Sequence, residues 1–414
     1  MNKWLKHIGL LVICGGLMWS GCATMNPQKG VSHYREEIIK FKARLETNPD
    51  DVEALRELGV ICFELQRYQP ARKYLIEACK RELKDPRTLF YLGMTFESET
   101  QNQVALKIYQ TYTDLDRQSP YYPLLEGQYH RLTRKLVREE MRSLLEQEPQ
   151  LDTAEVSPRT VAVFPLVYQG KAQEFAALGK GLSEIMSIDL SQVPELTVID
   201  QIHLLALMEE LSPGQTLVLD ENTIPRLGKL LSAGKIVSGS YNVEDENIVQ
   251  LNVAFWDVRN RPSPDYNDQK NFLENLFELE KTLVFSLIDE MSLALTSEQL
   301  EKIQRIPTKS VQAFMIYCLG LEKEQAGQFK AAAKFYQKAV KLDPNFELAG
   351  QKAETNQALS LVTGDKDNLL LTMKKWGKPV SPLLTDEGLI SHRLKNLCTS
   401  IDCNFVPGQD SRES

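Results

Sequence analysis

RTVAVFPL (159–166), KIVSGSYNV (235–243) and NIVQLNVAFWDV (247–258) are the stretches whose reading decides the fold. The first is a bounded run of β-branched and apolar residues, too short for a spanning helix, and reads as a buried strand. The other two alternate and are joined by Glu244, Asp245, Glu246 and Asn247, which predicts an antiparallel hairpin. On the second, Val249, Leu251, Val253 and Phe255 share one apolar face. Between them lie an amphipathic helix at LGKGLSEIMSIDLSQV, a short strand at LTVID, and helices at QIHLLALMEEL and around IPRLGKLLSA. Strand and helix therefore alternate before a closing hairpin, which predicts an α/β unit with a mixed sheet over 159–300.

Helical sequence flanks this unit on both sides. Residues 34–148 are rich in helix formers at 3.6 spacing, with two segments repeating at a period of 34 residues. Leu58-Gly59, Tyr68, Ala71, Leu75 and Ala78 mark the first; Leu92-Gly93, Ala105, Tyr109 and Tyr112 mark the second. Gly59 to Ala71 and Gly93 to Ala105 are each twelve residues, so small side chains recur where two antiparallel helices come closest. In 301–362 the same twelve separate Gly320 from Ala332, with Gly327, Phe329, Tyr336, Ala339 and Asp343-Pro344 around them. These spacings resemble the tetratricopeptide repeat (TPR), a helical hairpin that binds partners in a concave groove. The resemblance implies a groove on the first helices, with Arg56 and Phe63 in one unit and Arg87 and Phe90 in the next as its candidate lining. Val60 and Met94 lie on the same stripes, and the alternative is that these stripes pack against the following repeat or the neighbouring domain. Asn271 to Leu295 reads as one long amphipathic helix, and Thr296 with Gln299 as a capping box for the helix after it.

The phrases AVFPL, LGKGLSEIM, ELTVIDQIHL, PRLGKLLSAGKIVSGSY and the closing DVR, in that element order, resemble the curli-secretion lipoprotein (CsgG-like) family across about a third of the chain. The full expectation is thus an α+β multidomain chain, with TPR helical segments on either side of a central α/β CsgG-like domain.

At the amino terminus Lys3 and Lys6 precede an apolar run from Ile8 to Trp19 and then Ser20-Gly21-Cys22. The run is too short to cross a ~30 Å hydrocarbon core. Residues 1–21 resemble a bacterial lipoprotein signal peptide, although Trp19 stands where that family has Leu, Val or Ile. The resemblance makes Cys22 the acylated anchor, and Ala23 after it implies sorting to the periplasmic face of the outer membrane. The alternative is an ordinary secretory signal with Cys22 as a bystander. Residues 22–33 then form a polar tether, 149–158 a linker with two prolines, and 363–414 a turn-rich tail. In an oxidising periplasm Cys398 and Cys403 could close a small loop, whereas Cys62, Cys79 and Cys318 fit helix cores and Cys62 and Cys79 should stay unpaired.

The composition is 43% hydrophobic and 25% charged, and loss of Lys3 and Lys6 with the signal takes the net charge from -8 to -10. Such acidity disfavours nucleic-acid partners, because the charge that neutralises phosphates is missing. Gly179-Lys180-Gly181 is not followed by Ser or Thr as a P-loop requires, and Ser238-Gly239-Ser240 is no nucleophile elbow. His33, His130, His203 and His392 lie far apart without ligand spacing. The expectation is therefore no enzyme, no metal and no cofactor. A protein-binding scaffold in envelope assembly or secretion is expected, with envelope proteins in the TPR grooves, the membrane through the lipid, and self-association left open. An activator of peptidoglycan synthesis and a curli-type secretion channel are the alternatives by family resemblance. Against the channel, a membrane hairpin needs over ~20 inserted residues. The widest gap, Arg259 to Lys270, has two prolines and no apolar alternation, and is not expected to cross a bilayer and pair as strands.

Overall fold

The computed structural model describes residues 27–150, 156–213, 217, 219–220, 222–244, 247–259 and 264–363. Its N-terminal part is a stack of helices: α1 (Pro27–Thr47), α2 (Val52–Glu64), α3 (Tyr68–Arg81), α4 (Pro86–Ser98), α5 (Asn102–Gln110) and the 26-residue α6 (Tyr122–Gln147). Asp51 and Asp85 cap α2 and α4 by accepting from the amides of Ala54 and Thr88, and Pro86 occupies the first turn, where its missing N–H costs nothing. Because α1 begins at Pro27, part of the expected polar tether, from residue 27 to 33, is helix instead.

The sheet comprises β1 (Ser157–Val163), β2 (Val167–Tyr168), β3 (Thr197–Val198), β4 (Ala233–Glu244), β5 (Ile248–Asp257) and β6 (Asp265–Phe272). Its order is β3-β1-β4-β5-β6, with β2 also on β4. β1 runs parallel to both β3 and β4, and the β4–β5 hairpin is antiparallel from Lys235↔Asp257 to Glu244↔Ile248. Helices α7 (Leu178–Leu190), α8 (Gln201–Leu211) and α9 (Thr223–Leu230) connect β1 through β3 to β4. Alternation along β1 sends Val161 and Val163 to a face packed by α7 and α10 (Leu276–Glu290), and Ala162 and Phe164 to a face packed by α8, α9 and the end of α6.

One sequence expectation needs correction here. The single helix expected from Asn271 to Leu295 is divided: 265–272 is strand β6, paired with β5 from Phe255↔Asp265 to Ile248↔Phe272, and α10 begins only at Leu276. Part of the 259–270 gap therefore pairs as a strand. DYNDQKNF lacks apolar alternation because β6 lies at the sheet edge and five of its eight side chains are exposed; backbone ladder bonds to β5, not side-chain burial, hold it. The capping box at Thr296 and Gln299 opens α11 (Ser297–Gln304), with both reciprocal hydrogen bonds made.

The chain ends its described part with α12 (Val311–Gln325), α13 (Phe329–Leu342) and α14 (Glu347–Val362). A Cβ on Gly320 would run into Tyr336; Gly59 has the same relation to Leu75 and Gly93 to Tyr109, sixteen residues on in every case. Thus α2–α3, α4–α5 and α12–α13 share one close-crossing hairpin geometry. The apolar core of the sheet continues without a break into α12–α14, through Phe277, Phe314, Tyr317 and Tyr336. α14 also packs along α6, where the Ala358 carbonyl lies so near Gly127 that a Cβ there would be 2.4 Å from its oxygen. The last helix therefore returns to the first helical stack.

Candidate functional site

Where the helical stack, the sheet domain and the C-terminal helices meet, they enclose a cavity of about 420 Å³. Its walls come from α6 (Tyr129, His130, Arg134), α7 (Lys180, Glu184), α8 (Gln201, Leu205), α12 (Leu321, Glu324) and α14 (Leu348, Lys352). The position follows from topology. The loops leaving β1 and β3 turn to opposite faces of the sheet, one to α7 and the other to α8, and the crevice between them opens at the carboxyl ends of those strands. Pro165, just past β1, and Asp200, just past β3, both line it. Gln201 braces this corner, donating 2.9 Å bonds to the Val163 carbonyl and to Ser187 Oγ.

The far wall is an ionic network centred on Glu324. Its carboxylate accepts from Tyr336 Oη at 2.6 Å and Asn356 Nδ2 at 3.0 Å, pairs with Lys352 at 3.5 Å, and is bound by Arg134. Four helices are tied through one side chain. These cations and donors outweigh burial and hold the Glu324 carboxyl down at about 2. Lys352 also pairs with Glu184 at 3.0 Å, while Tyr317 donates to Glu184 at 2.7 Å. Burial, helped by the adjacent Arg134, pushes His130 down to about 4, so it lines the cavity as a neutral imidazole near pH 7.

Lys180 differs from its neighbours. It is half-buried, and among the described residues no carboxylate lies within ion-pair distance of it; burial lowers its pKa, opposed by the field of Glu322. The flanking glycines explain its placement. A Cβ on Gly179 would strike the Leu166 carbonyl and one on Gly181 the Cys318 sulfur, so the Gly-Lys-Gly segment lets α7 press against the β1 loop and α12 at once. The glycines serve packing, and the lysine between them is turned to the cavity rim.

The expected groove residues are brought together elsewhere, between the first helices of successive units. Phe63 is buried against Tyr91 at 5.6 Å and Phe90 against Tyr121 at 5.9 Å. Arg56 pairs with Asp85 at 3.0 Å, and Arg87 with Glu57. Arg56, Phe63, Arg87 and Phe90 thus pack along the seam from each unit to the next. Cys62 and Cys318 are free thiols, and Cys79 is buried in the helical core. Cys22, Cys398 and Cys403 lie outside the described residues.

A tetratricopeptide repeat family model matches residues 316–346, which cover most of α12, all of α13 and the turn after it. Helix α12 falls largely within the match, and α14 begins just after it. Leu321, Glu324 and Gln325 on one, and Leu348, Gln351, Lys352 and Thr355 on the other, all line the cavity. This face of α12 and α14 therefore looks onto α6, α7 and α8 of the same chain across the cavity. Glu324, Lys352 and Arg134 could not be singled out from sequence, because they lie on three helices separated by up to 218 positions. The legible signal was Lys180 between two glycines after a strand.

Proposed function

We propose that the protein is a non-enzymatic interaction scaffold of the bacterial envelope, held at the periplasmic face of the outer membrane by a lipid on Cys22, with a CsgG-like central domain. The observation that carries the scaffold reading is the repeat match at 316–346, since helical repeats of this type generally mediate protein–protein interaction. The basic, apolar and small-residue order that ends at Cys22 supports the anchor. One face of the C-terminal repeat looks onto the chain's own helices across the cavity, so envelope partners are assigned to the repeat's outer surface and to the N-terminal helices. The absence of catalysis is part of the proposal. Its support is that Glu184 and Glu324 are committed to ion pairs and Ser183 Oγ donates to the Lys180 carbonyl, which leaves neither carboxylate placed to activate that hydroxyl.

The test is capture with tagged protein from solubilised envelopes, together with membrane fractionation of a Cys22→Ser variant. Enriched envelope assembly or secretion proteins, and release of Cys22→Ser from the membrane or retention of its uncleaved signal, are expected. Recovery of cell-wall synthases in their place would favour the activator of peptidoglycan synthesis. Stable conductance from pure lipidated protein in planar bilayers would restore the channel. A normally processed, membrane-bound Cys22→Ser variant would remove the anchor.

A further inference from the structure

We infer that the junction cavity is a binding site for a small organic oxyanion, a carboxylate or phosphate monoester with an apolar body, and that the Lys180 ammonium is its counter-ion. The inference stands apart from the scaffold reading and needs no protein partner.

Location comes first. The crevice beyond the carboxyl ends of parallel strands, where successive connections turn to opposite faces, is where open α/β sheets hold ligands, and the cavity lies there between β1 and β3. Its volume of about 420 Å³ falls within the range that encloses small molecules. Five helices and a loop have been brought together around this space without filling it.

Charge then selects the ligand. The two carboxylates of the wall are already paired with cations, Glu324 with Arg134 and Lys352 and Glu184 with Lys352. Asp200 at the mouth spends its carboxylate on the α8 amino end, accepting from the Ile202 amide at 3.0 Å. Glu322, across from Lys180, pairs with Lys323 at 3.3 Å. What remains is the Lys180 ammonium, half out of water and with no carboxylate of the described residues within ion-pair distance, a cost that an incoming oxyanion would offset by a charge-assisted hydrogen bond. Pro165, Ile202, Leu205, Leu321 and Leu348 supply apolar wall for the rest of the molecule. A purely inorganic anion would leave that wall wet, which is why the ligand is assigned an apolar body.

The experiment measures melting temperature and calorimetric binding of the full protein with sodium phosphate, acetate, hexanoate and phenyl phosphate, each against chloride at matched ionic strength. The expected result is a saturable rise in melting temperature with hexanoate or phenyl phosphate, larger than with acetate or inorganic phosphate. Which of the two is preferred separates a carboxylate from a phosphate ligand. Lys180→Gln should weaken that binding by about tenfold or more, the loss of one charge-assisted hydrogen bond, whereas Lys180→Arg should retain most of it. Leu205→Trp, which fills the cavity and leaves every charge in place, should abolish binding while the circular dichroism stays native. No saturable effect from any probe, or affinity unchanged in both Lys180→Gln and Leu205→Trp, would overturn the site.

Discussion

Two buried carboxylates, Glu324 and Glu280, respond to pH in opposite directions. Glu324 is held near 2 by its cations and donors, so its contribution to stability is full above the ordinary carboxyl value of 4.5 and is lost as pH falls toward 2. Breaking this network leaves Arg134 without its carboxylate and Lys352 with Glu184 alone: Glu324→Ala should cost about 3–5 kcal/mol near pH 7, measured by urea unfolding, and far less near pH 2. Glu280 is fully buried on α10, with neither carboxylate oxygen in a well-formed hydrogen bond; Lys281 Nζ lies 3.2 Å away but is chiefly engaged by Asp189 of α7. Burial, then the neighbouring Asp189, raises the Glu280 carboxyl well above its ordinary 4.5. The folded state therefore holds a proton that the unfolded chain releases, and the stabilisation is complete below 4.5 and lost as pH rises through the raised value. Glu280→Gln should make the protein more stable than wild type near neutral pH and about equal to it near pH 4. Equal urea midpoints at pH 7 would show that the carboxyl is not under this strain.

At the scale of elements, helix crossings are set by residues without side chains. Gly127 on α6 faces a backbone carbonyl, that of Ala358 on α14, which no rotamer change can withdraw. Gly350 on the same α14 has open space where a Cβ would stand. Gly→Ala gains up to ~1 kcal/mol of helix propensity in either place. At Gly350 that gain should appear as a stabilised protein. At Gly127 overpacking of about 1–3 kcal/mol should exceed it and destabilise the protein, so the sign of the change in melting temperature separates the two. Strand β6 teaches the complementary lesson. Its side chains carry almost no strand signal, yet eight residues pair with β5, because the backbone donors and acceptors of that strand need partners whatever the side chains are. Hydrophobic periodicity is silent on an edge strand whose faces are largely exposed.

Over the whole molecule, the units that read as separate in sequence share their cores. The sheet's apolar face runs on into α12–α14, the end of α6 packs the other face, and α14 closes on α6. Thermal unfolding should accordingly show one main transition by calorimetry and by circular dichroism alike. Deletion from residue 347 onward, which removes α14, should destabilise the N-terminal helices as well as the C-terminal hairpin; retention of the wild-type midpoint by a probe in α2–α5 would argue for independent domains.

What the sequence determined by itself was local: helices α7 to α9 and the β4–β5 hairpin from their periodicity, and the close-crossing hairpins from glycines and small residues at fixed spacing, the last in agreement with the repeat match at 316–346. Those signals are short-range, since burial of one face imposes a period on neighbouring residues. Only the tertiary structure decided that β6 is a strand, that Arg56, Phe63, Arg87 and Phe90 pack along the seam between successive helical hairpins, and that Arg134, Lys180, Glu324 and Lys352 surround one cavity. The physical reason is that each depends on which surfaces meet after the chain has turned back on itself. A charged residue on a helix face looks the same in sequence whether water or another helix stands opposite.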